Sequence, residues 1–335
     1  MATMLLPKFE HHCPASIEEA AQLLGRHGAD ARLYAGGTDL FPRMKQGLIR
    51  PEVIISLKSL NIDPPGISAN GDLHINAFLP LADIARSPEV IENAPLLTEA
   101  IASVASNQVR HMGTLGGNIC LENRCTYYNQ SHSFQFVEPC FKRGGKRCYL
   151  LPKGKKCLAV FTADTVPALI CLDARVEIVS ADGSRQLPAE KLYTGDALKP
   201  LALSRDEIIS EVIIANPQTV HGSAFTKFSM RGGVEFAGLS VAVYLELSDS
   251  ASTCAAARIT AGSVAGGPVR AVKAEKVMAG ETLSDKLFEN IAEMVAKEIR
   301  PVMHHGYSAA YLRECLKVQT YRTLALAAKR SGMQK

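Results

Sequence analysis

The sequence predicts an α+β protein of two domains. Three observations carry that expectation. The chain has 335 residues, more than the roughly 100–150 of a typical domain. Asn216, Pro217 and Gly222 punctuate it at a natural boundary. Beyond that boundary, three strand-like runs precede three helix-like runs, the segregated order of an α+β domain.

The elements follow in order. Ser16, with Glu19 three residues on, forms a capping-box pattern and opens a helix over Ser16–Gly25. Ala20, Ala21, Leu23 and Leu24 make its apolar stripe. Ala31–Ala35 is a short strand ending at two glycines. A helix or turn covers Asp39–Gln46, and Val53–Leu57 is a buried strand by its β-branched content. His74–Ala77 reads as a strand, and Leu81–Ala85 and Ala94–Val104 as helices. Thr114–Asn118 reads as a glycine turn without a helix signal. Ala168–Leu172 and Arg175–Val179 read as apolar strands, with a turn at Ala181–Gly183 and a further strand at Ile208–Ile214. Phe225–Ser229, Leu239–Leu247 and Ala255–Ala261 are the three strands beyond the boundary. Ala271–Met278, Ser284–Val295 and Tyr307–Lys329 are the helices.

Composition excludes several classes. Apolar residues make up 47% and charged residues 21%, with a net charge of +4, so nucleic acid is not indicated as the main partner. No apolar run is long enough to span a bilayer. The N-terminal residues, with Lys8, Glu10, His11 and His12, do not form a secretory signal. Nine cysteines, an odd number, point to a reducing, cytoplasmic compartment and to metal or redox chemistry.

Two glycine turns are candidate ligand sites. Tyr34-Ala35-Gly36-Gly37-Thr38-Asp39-Leu40 follows a strand and precedes a helical stretch. Its amides can form an anion nest, and Thr38 adds a hydroxyl. Thr114-Leu115-Gly116-Gly117-Asn118 is a second such turn, and together they could clamp a diphosphate. Neither matches the common nucleotide fingerprints. On spacing alone, a plain strand-to-helix turn capped by Asp39 is the commoner reading of the first pattern.

Residues 121–157 differ from their surroundings. Cys125, Cys140, Cys148 and Cys157 fall at intervals of 15, 8 and 9. The stretch carries Lys142, Arg143, Lys146, Arg147, Lys153, Lys155 and Lys156, with Tyr127, Tyr128, Phe134 and Phe136 at its start. A polar loop this long needs an organiser. An iron–sulfur cluster accepts four thiolates from dispersed positions. Zinc is the competing metal, although its usual paired spacing is absent. Unrelated free cysteines are the third possibility. Cys120 reads as core, and Cys171 as part of an apolar strand.

These residues resemble the flavoprotein subunits of the molybdenum hydroxylases, the xanthine dehydrogenase family. The resemblance rests on the two glycine turns, on Ala163-Asp164 before Pro167-Ala168-Leu169, and on Lys227 in Phe225-Thr226-Lys227. It covers nearly the whole chain. It implies the FAD-binding fold shared with vanillyl-alcohol oxidases, as subdomains 1–58 and 59–218, followed by an α+β domain over 222–330. FAD would lie between the domains. Leu33, Tyr34, Ala35, Gly36, Gly37, Thr38, Asp39 and Leu40 would meet its diphosphate from one side, and Thr114, Leu115, Gly116, Gly117 and Asn118 from the other. Val104 and Ile209 would pack against it. Asp164 would bond a polar part of the cofactor, and Lys227 would add charge near the flavin. Arg231 and Glu235 are nearby candidates, with an exposed ion pair as the alternative.

The cysteine insert is similar to that of the 4-hydroxybenzoyl-CoA reductase branch, from Asn123-Arg124-Cys125-Thr126-Tyr127-Tyr128-Asn129-Gln130-Ser131 through Leu172-Asp173-Ala174-Arg175. That similarity implies a [4Fe–4S] cluster on Cys125, Cys140, Cys148 and Cys157. It implies an electron relay from ferredoxin through the cluster and FAD. The acceptors would be a small subunit with two [2Fe–2S] clusters and a molybdopterin-containing large subunit. Three subunits would pair into a heterohexamer. The basic loop residues would dock ferredoxin or merely solubilise the loop. A related hydroxylase working oxidatively on an aldehyde or N-heterocycle is the alternative.

Overall fold

The computed structural model describes residues 5–130, 138–151, 153–216, 220–248 and 253–333. Ser131, Phe134, Phe136 and residues 217–219 of the expected boundary lie outside this set.

The first layer contains β1 (Glu10–His12), α1 (Ile17–His27), β2 (Ala31–Tyr34), α2 (Leu40–Lys45) and β3 (Val53–Ser56). The strands form a parallel sheet in the order β1-β3-β2. Ser16 Oγ accepts from the Glu19 amide, and the Glu19 carboxylate reaches back to the Ala15 amide at 2.7 Å. Both fill donors that a helix start leaves open. β3 is buried along its whole length, as a central parallel strand must be.

The second layer begins with β4 (Gly66–Ile67) and β5 (Leu73–Asn76). Short helices follow: α3 (Leu81–Ile84), α4 (Pro88–Asn93), α5 (Pro95–Ala102), α6 (Asn107–Arg110) and α7 (Leu115–Ile119). The cysteine loop contains α8 (Thr126–Asn129) and leads to α9 (Thr165–Cys171). β6 (Arg175–Ser180), β7 (Gly183–Pro188) and β8 (Ile208–Ile214) complete an antiparallel sheet ordered β4-β5-β8-β6-β7.

The third layer holds β9 (His221–Phe228), β10 (Leu239–Leu247), β11 (Cys254–Gly262) and β12 (Val269–Arg270), antiparallel in the order β12-β11-β10-β9. One face is covered by α10 (Val272–Met278), α11 (Asp285–Glu298) and α12 (Ala309–Ala328). Ser284 and Ser308 cap the two long helices by accepting from Leu287 and Tyr311 amides. A small apolar seam joins this layer to the rest: Leu96, Ala100, Ala168 and Cys171 meet Phe225, Ala242 and Tyr244. The α+β expectation therefore holds, as separate sheets with helices packed on them.

Three expectations are corrected. Ala168–Leu172 is not a strand; it is the end of α9, whose seven residues are all buried, with Leu172 as its C-cap. A wholly buried helix shows no polar face, so its pattern mimics a buried strand. Cys171 is thus helical. Thr114–Asn118 is not a bare turn but the capped first turn of α7, with Thr114 Oγ accepting from Gly117 N at 3.1 Å. Two glycines hid that helix by weakening its propensity. Cys120 is not core: it follows α7 and is exposed to the cleft described below.

Candidate functional site

A cleft of about 1180 Å³ opens between the first two layers and the third. The β2–α2 turn forms one wall. Leu33, Ala35, Gly36, Gly37, Thr38, Asp39 and Leu40 all line it. Beside it stand Thr114, Gly116, Gly117 and Asn118 from the start of α7. Val104, Asp164 and Ile209 also face the cleft.

The two turns are packed directly together. A Cβ on Gly36 would stand 2.0 Å from the Met112 carbonyl oxygen and 2.8 Å from Gly113 Cα. Only glycine permits that approach. Gly37 adopts φ +71°, which an L side chain resists. Thus two segments almost eighty residues apart in sequence form one continuous wall of backbone.

Three of the expected site residues stand apart from the cleft lining. Tyr34 lies beneath the turn, against Phe41 at 4.8 Å between ring centroids. The Leu115 side chain is fully buried in the core. Lys227 acts through a neighbour: its Nζ donates to Asp164 Oδ2 at 2.7 Å and to the Ser103 carbonyl at 2.8 Å. Burial pushes the Asp164 carboxyl up to about 6, and Lys227 offsets part of that. The other oxygen, Asp164 Oδ1, is buried with no hydrogen-bond partner. A buried acceptor beside a cleft calls for a ligand donor. Arg231 and Glu235 both line the cleft and pair at 3.4 Å, with Arg231 largely exposed. Such a pair contributes little by itself.

Several lining residues were missed by sequence reasoning. Arg32, Arg43, Arg124 and Arg205 bring cations to the cleft, Arg43 already paired with Asp39 and Glu122 and Arg124 with Asp39, and Phe236, His305 and Tyr307 close its far side. Burial, followed by the charge of Arg43, pulls the Arg32 guanidinium below its ordinary value. An anionic ligand would relieve that crowding. The Asp39–Arg43 spacing of four along α2 was a readable signal. The others come from separate elements and left none.

The cysteine loop lies beside this wall. Asn123 is fully buried, and its Nδ2 donates to the carbonyls of Ala159 and Gly266 at 2.9 and 2.8 Å. Arg124 pairs with Val160 as an antiparallel bridge, which closes the base of the loop. Gly145 N donates to the Cys140 carbonyl at 2.9 Å, turning the chain from Cys140 toward Cys148. Cys140 and Cys148 are buried; Cys125 and Cys157 are half-buried. Cys125 Sγ caps α8 by accepting from the Tyr128 amide at 3.4 Å. Burial pushes the Cys125 thiol up, its amide donors oppose that, and Cys140 and Cys148 raise it further. Burial also raises Cys157, which feels Cys125 and Cys148. The four sulfurs are therefore electrostatic neighbours. Among the described residues, no three His, Cys, Asp or Glu side chains stand close enough to hold a single metal ion.

Two of the seven basic loop residues are not free to dock a partner. The Lys142 side chain is buried, 2.5 Å from Glu122 and 2.7 Å from the Ala197 carbonyl. Arg143 donates to the carbonyls of Tyr128 and Gln130. Lys146, Arg147, Lys153, Lys155 and Lys156 are exposed, although Arg147 pairs with Glu138.

Comparison with known proteins decides the family. The model for the FAD binding domain in molybdopterin dehydrogenase matches residues 7–217, and that for the CO dehydrogenase flavoprotein C-terminal domain matches residues 223–327. The chain belongs to the FAD-binding subunits of the molybdenum hydroxylases. Members of that family are similar along their whole length. The 6-hydroxypseudooxynicotine dehydrogenase complex subunit alpha of Paenarthrobacter nicotinovorans is 28% identical, over 97% of this chain and 96% of its own. The carbon monoxide dehydrogenase medium chain of Afipia carboxidovorans is 27% identical, over 98% and 99%. Among solved structures, carbon monoxide dehydrogenase from Hydrogenophaga pseudoflava matches with TM-score 0.80 at 25% identity, covering 97% of this chain and 99% of that one. The cleft between the two family domains is thus the candidate FAD site. Among the described residues, no helix is long and apolar enough to cross a membrane.

Proposed function

We propose that this subunit carries FAD and a [4Fe–4S] cluster and relays electrons in a reductase of the 4-hydroxybenzoyl-CoA reductase type. The observation that carries the cluster is the cysteine loop. Cys125, Cys140, Cys148 and Cys157 are brought within electrostatic reach of one another. They are not at the spacing one ion needs. Four thiolates on zinc stand about 3.8 Å apart, from ~2.3 Å bonds at tetrahedral angles. A four-iron cube spreads its ligands wider and accepts them from dispersed positions.

In this reading both groups are held by residues of this chain. Gly36, Gly37, Gly116 and Gly117 leave the backbone bare where a diphosphate would lie. Arg32 and Arg43 would offset its charge. Asp164 Oδ1 would accept from a cofactor hydroxyl, with Lys227 holding the carboxylate. Amide donors to Cys125 and Cys157 would stabilise thiolate ligands. Bound FAD supplies an interchange between one- and two-electron transfer, and the cluster one-electron transfer.

In this reading reduced ferredoxin is the donor, docked at the exposed lysines. Electrons leave to a small subunit with two [2Fe–2S] clusters and on to a molybdopterin-containing large subunit, where the aryl-CoA thioester is reduced. Two such trimers pair into a cytoplasmic heterohexamer. The FAD-binding domain spans 1–218 and the C-terminal domain 222–330. A second reading, an oxidative hydroxylase of an aldehyde or N-heterocycle, is supported by relatives named as subunits of nicotinate dehydrogenase, glyceraldehyde dehydrogenase and aldehyde oxidoreductase.

The test is metal and cofactor content of protein purified without oxygen. Four irons, four sulfides and one FAD per chain support the relay. One zinc with no iron overturns it. Reduction of 4-hydroxybenzoyl-CoA by ferredoxin in the assembled complex then separates the first reading from the second.

A further inference from the structure

We infer that Glu122 and Arg43 are positioning residues that couple the cysteine loop to the glycine wall, so that filling the loop with its cluster tightens FAD binding. The inference rests on the proposed cluster ligands.

Five alternating charges form the link. Lys142, two residues past Cys140, meets Glu122 at 2.5 Å. Glu122 meets Arg43 at 3.4 Å, and Arg43 meets Asp39 at 3.5 Å. Asp39 then takes Arg124 at 2.6 Å, and Arg124 directly precedes Cys125. The series leaves the loop at Lys142, passes through the first glycine turn at Asp39, and returns to the loop at Arg124. No side chain in it is more than 28% exposed, and Lys142 is 7% exposed.

Such a circuit cannot shift at one point alone. Moving Lys142 or Arg124 strips a partly buried carboxylate of a partner, which costs more than the pair contributes at the surface. Networks of this kind behave as a unit rather than as separate pairs. Past Leu121, the loop's described residues join none of the apolar clusters, so its position depends in part on what its cysteines bind. A cluster joining Cys125 to Cys140 fixes both ends of the circuit. Asp39 and the turn that carries it are then fixed too. A site held in its bound shape loses less on ligand binding. By linkage, FAD in turn helps the loop retain iron.

The experiment measures FAD affinity by flavin fluorescence, using the flavin-free full chain with its iron loaded and after chelator has stripped it. The expected result is about tenfold tighter binding with iron, within the 5–150-fold typical of coupled sites. In Glu122→Gln that ratio should fall below about threefold, the circuit being broken at its middle. A merely structural role for Glu122 would weaken FAD equally in both states and leave the ratio intact, which overturns the inference. Equal affinities in native protein holding four irons overturn it too, while leaving the cluster reading standing. Failure of the native chain to take up iron overturns both.

Discussion

Lys227 Nζ stands 2.7 Å from Asp164 Oδ2, and the two residues come from different layers of the fold. Lys227 lies on β9, and Asp164 opens α9 at the floor of the cleft. Both side chains are nearly inaccessible, at 9% and 5%. The ion pair therefore ties the C-terminal domain to the FAD-binding domain at the site itself.

Removing the lysine should be costly. Lys227→Met leaves a buried carboxylate with no cation, a change that typically costs about 3–5 kcal/mol. Denaturant unfolding at neutral pH should show that loss, together with weaker FAD retention. A loss under about 1 kcal/mol, the range of exposed pairs, would contradict the burial argument.

The raised carboxyl predicts a pH dependence. Asp164 titrates at about 6 when folded, against an ordinary 3.8. A carboxyl raised in the folded state favours folding while protonated. Its contribution is full below the ordinary value and is lost as pH rises to about 6. Asp164→Asn removes that titration. The flavin-free variant should therefore gain stability over the native chain as pH rises across this window, by on the order of 3 kcal/mol. Parallel pH profiles for the two proteins would show that the shift is not there.

The contact between the glycine turns gives a sharper test. Gly36→Ala drives a methyl into the Met112 carbonyl and forces the turns apart. Overpacking of this kind costs about 1–3 kcal/mol, and bound FAD should be lost on gel filtration. Gly25→Ala is the control. Its Cβ meets only Asp206 Cβ at 3.5 Å, inside α1, where alanine raises stability by roughly 0.5–1 kcal/mol. FAD should be retained there.

The cysteines should divide by role. Cys148→Ala should abolish iron binding. Cys171→Ala should leave iron at the native level, because Cys171 packs in the seam and its thiol meets the Ala242 carbonyl at 3.3 Å. Iron and sulfide analysis of the two variants reads this directly, and equal iron in both would remove Cys148 from the ligand set.

Docking of ferredoxin should depend on the exposed lysines near the end of the loop, not on the buried Lys142. Lys153→Glu, Lys155→Glu and Lys156→Glu combined should slow ferredoxin-driven reduction by about tenfold at low salt, because complementary charge chiefly sets encounter rates. An unchanged rate would leave these lysines a solubilising role only.

The regular elements were legible wherever one face of them meets water. α1 shows its cap at Ser16 and its stripe from Ala20 to Leu24, and the structure follows both. Some elements without that contrast were not, although β3, buried throughout, was readable from its β-branched residues. α9 is buried on every side, so its sequence carries no period. β1, of sequence Glu-His-His, has no apolar pattern and forms because β3 offers it a free edge. β7 is mostly polar and exposed, and is held by β6.

The candidate site divides in the same way. The sequence by itself determined which backbone segments could be bare: Gly36, Gly37, Gly116 and Gly117 announce close approach, because a missing side chain is a local property. It also determined that four cysteines crowd one polar loop. That Gly36 rests on Met112, that Lys227 acts through Asp164, and that Lys142 turns inward to Glu122 instead of outward to a partner became visible in the folded chain alone. Those are relations between residues distant in sequence. Their energies come from burial and charge pairing, and both exist only once the layers have closed around the cleft.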